Sequence, residues 1–189
     1  IIFLIIGISN PQIGTKMEEV KREGVDLMIA IDLSYSMMAE DIKPNRLERA
    51  KQAISRLIDK LEGDRIGLVV FAGEAYIQLP ITTDYSAAKL FLSTVNTSIV
   101  PTQGTKIGNA IDLCVKSFDS ENAQSKAIII ITDGENHDEE AIESAKIAQE
   151  QGIYIRKGDY KKPSVNFEKF IFLNKDKNKK ILKKIYIKK

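Results

Sequence analysis

Apolar residues fall along this chain in two alternating periods. Short, nearly unbroken runs at residues 25–31 (VDLMIAI), 66–71 (IGLVVF) and 127–131 (AIIII) have the length and branched content of strands buried on both faces. Between the first two, Leu47, Ala50, Ile54, Leu57, Ile58 and Leu61 recur at helical spacing. Asn45 and Glu48, just after Pro44, are spaced as a capping box, and Gly63 reads as the stop. Residues 75–79 (AYIQL), after the Ala72-Gly73 turn, predict a short strand in a hairpin with its neighbour. Asp84 is placed to cap a helix running to about Val95. A loop over 96–106, with Pro101 and Gly104, leads to a helix whose apolar face is Ile107, Ile111, Cys114, Val115 and Phe118. An acid-started helix is predicted over 138–151, stopped by Gly152, and a further strand opens at 153–155.

Strands alternating with helices, and apolar throughout, predict an α/β fold: a doubly wound, Rossmann-like, mainly parallel sheet flanked by helices. Ligands in such sheets bind outside the carboxyl ends of the strands, near a topological switch point. Asp32 and Asp133 both stand where an apolar run ends.

Charge divides the chain in two. Residues 1–155 carry 15 basic and 23 acidic side chains, whereas residues 156–189 carry 13 basic and 3 acidic. The tail also has no alanine, against 14 in the preceding part. Four segments are therefore expected: an apolar stub over 1–8 (IIFLIIGI), a polar linker over 9–24, an α/β domain over 25–155, and an atypical Lys-rich tail over 156–189. The stub is too short to span a bilayer, which needs about 20 residues. It reads as the trailing end of a transmembrane helix, in competition with a buried first strand. The tail reads as a solvated segment rather than a site for nucleic acid. A single Cys114 and a single His137 exclude an internal disulfide and the usual zinc clusters.

Candidate chemistry gathers at the strand ends. In Asp32-Leu33-Ser34-Tyr35-Ser36, three oxygens at alternate positions can aim at one point past the strand. Thr105, after Gly104 and just before a predicted helix, and Asp133, after the 127–131 run, supply two more. Thr102 and Gln103 compete with Thr105, which fits best because it directly precedes the helix. Asp133 could instead only cap a turn with Gly134, and Glu135 and His137 read as solvated rim residues. Hydroxyls with two carboxylates suit Mg2+, with Mn2+ or Ca2+ as alternatives; thiols and imidazoles would not. Two carboxylates balance the divalent charge, so the ion would still favour an acidic oxygen from a partner protein.

The combination of DLSYS, PTQGT and ITDGE resembles the von Willebrand factor type A domain. The resemblance implies a metal-ion-dependent adhesion site (MIDAS) with Asp32, Ser34 and Ser36 as its first motif, Thr105 as its second and Asp133 as its third. It implies that the hydroxyls touch the metal and that the aspartates often act through water. NPQIG, GVDLMIAID, EDIKPNRLERAKQAI, DRIGLVVFAG, YIQLPIT and TDGENH are similar to the membrane-anchored bacterial aerotolerance (Bat) proteins, nearest their B type, over residues 1 to about 155.

The five-residue oxygen set has no general base or nucleophile pair beside it and reads as a non-enzymatic protein-binding site. The resemblance implies that the acidic protein ligand comes from sister Bat-type proteins and that the domain lies on the periplasmic side of the bacterial inner membrane. Lys16, Lys21 and Arg22 after the stub argue for the cytoplasmic side instead. A full domain of this family would continue past Ile155 through a Gly-containing turn, a last strand and a last helix. The tail does not match this, and reads either as a truncated or frameshifted frame or as a variant end whose Val165, Phe167, Phe170, Ile171 and Phe172 cover the sheet edge. Two other functions remain: a Mg2+-dependent phosphatase of the haloacid-dehalogenase type, which wants a carboxylate where Ser34 stands, and a scaffold with a vestigial metal site.

Overall fold

The computed structural model describes residues 24–119, 124–133 and 139–158. The expected stub, the linker up to residue 23, the tail from residue 159, and Gly134, Glu135 and His137 lie outside them. Five strands form one sheet: β1 (Val25–Asp32), β2 (Arg65–Phe71), β3 (Ala75–Thr82), β4 (Ser125–Ile131) and β5 (Tyr154–Gly158). Their order is β3-β2-β1-β4-β5. All neighbours are parallel except β2 and β3, which run antiparallel as the hairpin reading required. Among the described residues four α-helices flank the sheet: α1 (Arg46–Ile58), α2 (Tyr85–Thr94), α3 (Ile107–Lys116) and α4 (Glu139–Glu150).

The central strand shows why the sheet is covered on both sides. Every residue of β1 is buried. Leu27, Ile29 and Ile31 pack with Leu47, Ile54 and Ile58 of α1, while Met28 and Ala30 join Ile107, Ile111 and Cys114 of α3 in a second core. This follows from the two-residue period of a strand, which sends alternate side chains to opposite faces. Cys114 is thus a core residue, and burial pushes its thiol up to about 12. Between α3, α4 and the β4–β5 edge lies a cleft of about 610 Å3, lined by Ile111, Ile130, Ala145 and Ile153, with Thr132 at one end.

Boundaries moved where periodicity and hydrogen bonding part company. α1 ends at Ile58, with Asp59 as its C-cap, and Leu61 is buried in the turn that follows. β3 continues past Leu79 through Pro80 to Thr82. A proline is tolerated there because β3 is an edge strand and its register with β2 is already irregular between Ile66 and Val69. β5 runs to Gly158, so it crosses the change of composition at residue 155. Asn45 accepts from the Glu48 N–H at 2.8 Å and Asp84 from the Ala87 N–H at 2.9 Å, as their positions before the helices predict.

Candidate metal centre

β1 and β4 end side by side, with Ile31 paired to Ile131, so Asp32 and Thr132 emerge together at the carboxyl edge. β1 is flanked there by β2 on one side and β4 on the other, which is the switch point of the sheet. After Asp32 the chain turns at once. The Leu33 N–H donates to Phe71 O at 2.7 Å, and a 3-10 turn follows over Tyr35–Met38. Leu33 and Met37 are buried and hold the turn down. Tyr35, 70% exposed, and Met38 are left on the rim.

Four of the five candidate oxygens form one connected chain. Asp32 Oδ1 accepts from the Ser34 N–H at 2.8 Å, and Asp32 Oδ2 accepts from the Thr132 hydroxyl. Ser34 Oγ and Ser36 Oγ are 2.9 Å apart, and Ser36 Oγ donates to Asp133 Oδ1 at 2.9 Å. Because Ser36 has one hydroxyl hydrogen and gives it to Asp133, Ser34 is the donor to Ser36. Asp133 Oδ2 accepts from Arg46 Nη1. A residue pair 97 positions apart in sequence is thereby joined by one hydroxyl.

Thr105 stands on the neighbouring loop of the same edge. That loop is clamped to the end of β2, for the Gly73 N–H donates to Thr102 O at 2.9 Å and the Lys106 N–H to Ala72 O at 2.8 Å. The approach is close enough that a Cβ on Gly73 would lie 2.7 Å from Gln103 O. Gly104 has φ of +143°, a conformation that L side chains rarely adopt. Thr105 is half-buried and makes no side-chain hydrogen bond to the other four residues.

Asp32 is 0% exposed, and its burial raises its pKa above the usual carboxylate range. Hydrogen bonds from Thr132 and from the Ser34 backbone and side chain pull it back, and the charge of Asp133 pushes it further up. A buried carboxylate beside a second one, in a setting of hydroxyls and, among the described residues, without sulfur or nitrogen ligands, is a donor set that fits a hard divalent cation. Two residues of the site escaped the sequence reading. Thr132 could have been found from the strand register opposite Asp32. The link from Arg46 to the site carried no local signal, since Asp133 lies 87 positions away.

The family model of the von Willebrand factor type A domain matches residues 27–135. Among solved structures, BatB from Bacteroides thetaiotaomicron is 51% identical, with a TM-score of 0.69 over 71% of this chain and 65% of that one. An aerotolerance-related membrane protein from Bacteroides fragilis, solved with multiple mutations to serine, is 48% identical, with a TM-score of 0.68 over 71% and 66%. Proximal thread matrix protein 1 from the mussel byssus shares the fold at 18% identity, with a TM-score of 0.68 over 80% and 46%; that protein has zinc in its MIDAS motif. The chain spans about half the length of the curated relatives it matches. By the family match over residues 27–135, and with the BatB likeness beside it, this chain belongs to the von Willebrand factor type A domain family.

Proposed function

We propose that the domain is a non-enzymatic protein-binding module that grips a partner's carboxylate through a divalent metal, Mg2+ by preference. The reading rests on one observation: Asp32, Ser34, Ser36 and Asp133, drawn from two loops, form a continuous oxygen chain at the switch point of the sheet. Thr105, on the third loop of that edge, would complete the set. When bound, the ion would supply an electrophilic position for an acidic oxygen from outside. The chain's own residues hold that position: Asp32 and Asp133 provide the charge, Ser34 and Ser36 the neutral donors, and buried Leu33 and Met37 the fixed backbone.

The hydrolase reading finds no support in this geometry. Ser34 takes the place where a second carboxylate is wanted, and its hydroxyl is turned to Ser36. By likeness to BatB and to the aerotolerance-related membrane protein, the module belongs to a membrane-anchored bacterial protein, acting with sister proteins in oxygen or stress tolerance. Periplasmic placement at the inner membrane is part of the same proposal. Among the described residues no helix is long and apolar enough to cross a membrane.

The test is co-purification of the tagged protein with Bat-type partners from bacterial membranes, in Mg2+ and in EDTA. Recovery is expected in Mg2+ only, and Asp32→Ala should abolish it. Equal recovery in EDTA, or with Asp32→Ala, would refute the metal-bridged contact.

A further inference from the structure

α1 opens on a cation. Arg46 is its first residue, at the end where the helix macrodipole disfavours positive charge. Two carboxylates offset that placement. Nε and Nη2 donate to Asp41 Oδ1 and Oδ2 at 2.8 and 3.2 Å, in the two-pronged manner that suits a guanidinium. Nη1 donates to Asp133 Oδ2 and reaches Ser36 O at 3.4 Å. The Asp133 side chain is 5% exposed and that of Arg46 21%, so this pair is shielded from water. Asp41, at 40%, is much more open.

The two oxygens of Asp133 thus face different ways. Oδ1 meets the serine hydroxyls and Oδ2 meets the guanidinium. A divalent ion held by the serine side would share Asp133 with a fixed positive charge. We propose that Arg46 is a built-in counter-cation of the metal centre: it neutralises Asp133 and so lowers the affinity of the site for a divalent ion. This rests on the metal-binding reading above. One unit charge at roughly 6 Å from a divalent ion changes binding about tenfold even in a medium as polar as water. Asp41 offsets only part of this, because it lies farther out and is screened by solvent.

Arg46 therefore has two opposite effects. With the ion absent it relieves the repulsion between Asp32 and Asp133 and steadies the three-loop edge. With the ion present it opposes it. A merely structural arginine would have only the first effect, and its loss would leave metal binding unchanged or weaker.

Calorimetric Mg2+ titration of the full chain, stripped of metal beforehand, separates these cases in the wild type and in the variants R46Q, R46K and D41N. R46Q is expected to bind Mg2+ about tenfold more tightly than wild type while melting at a lower temperature in EDTA. R46K, which keeps the charge, should stay close to wild type, and D41N, which leaves Arg46 less compensated, should bind a few-fold more weakly. Folded R46Q that binds no more tightly than wild type, or R46K as tight as R46Q, would overturn the proposal. Should R46Q not fold, D41N decides, since unchanged or tighter binding there overturns it as well. A wild type that binds no Mg2+ would refute the metal centre itself, and the role of Arg46 with it.

Discussion

Asp32 sits where burial disfavours its charge. Desolvation raises its pKa, and the hydrogen bonds from Thr132 and Ser34 only partly reverse that. A carboxyl raised in the fold contributes most to stability below its unfolded pKa of about 4, and that contribution is lost as pH climbs through the higher folded value. In EDTA the domain should therefore lose stability on account of this residue as pH rises from about 4 through the raised folded value. Asp32→Asn keeps an oxygen for the Ser34 N–H and removes the charge, so it should raise the melting temperature at pH 7 in EDTA by a few degrees. Melts across pH in EDTA check this, and an unchanged or lower value at pH 7 would show that the buried charge carries no such cost. Mg2+ should reverse the order, stabilising the wild type and leaving the variant unmoved.

The elements that hold the site differ in how plainly the sequence announces them. β1, β2 and β4 were legible because both faces of a central parallel strand are buried, which leaves an unbroken apolar run. The Asp32-x-Ser34-x-Ser36 spacing was legible because it is local. The end of α1 was not: periodicity registers that Leu61 is buried, but not that helical hydrogen bonding stops at Ile58. The Arg46–Asp133 pair was invisible because it depends on how α1 is laid against the end of β4. The loop carrying Thr105 is anchored in the core by Val100 and clamped to the end of β2 by backbone hydrogen bonds at close approach, so a methyl group should be enough to disturb it. Gly73→Ala places its Cβ 2.7 Å from both Gln103 O and Thr102 Cγ2. It should cost about 1–3 kcal/mol, in the range for overpacking, and weaken Mg2+ binding by displacing Thr105. Urea unfolding alongside a Mg2+ titration measures both; an intact affinity would remove Thr105 from the donor set.

Across the whole molecule the proposed ion would bridge the loops that follow β1 and β4 and the loop before α3, which is clamped to the end of β2. Anything that binds only the folded state stabilises all of it, by about 2.7 kcal/mol at a free concentration one hundred times the dissociation constant. Mg2+ should therefore raise the melting temperature of the domain as a single transition by several degrees over EDTA. Asp32→Ala should erase the difference. A Mg2+-independent melt in the wild type would favour the vestigial-site scaffold.

The adjacency of β1 and β4 has a further consequence for biosynthesis. Asp32 and Thr132 meet across 100 residues of chain, with α1, β2, β3, α2, α3 and β4 between them. A nascent polypeptide leaving the ribosome displays the Asp32-Ser34-Ser36 motif early, but it has no Asp133 to complete the chain of oxygens until β4 has been made and has docked beside β1. Contacts so distant in sequence form slowly. The full set of proposed donors therefore exists only once β4 has docked beside β1.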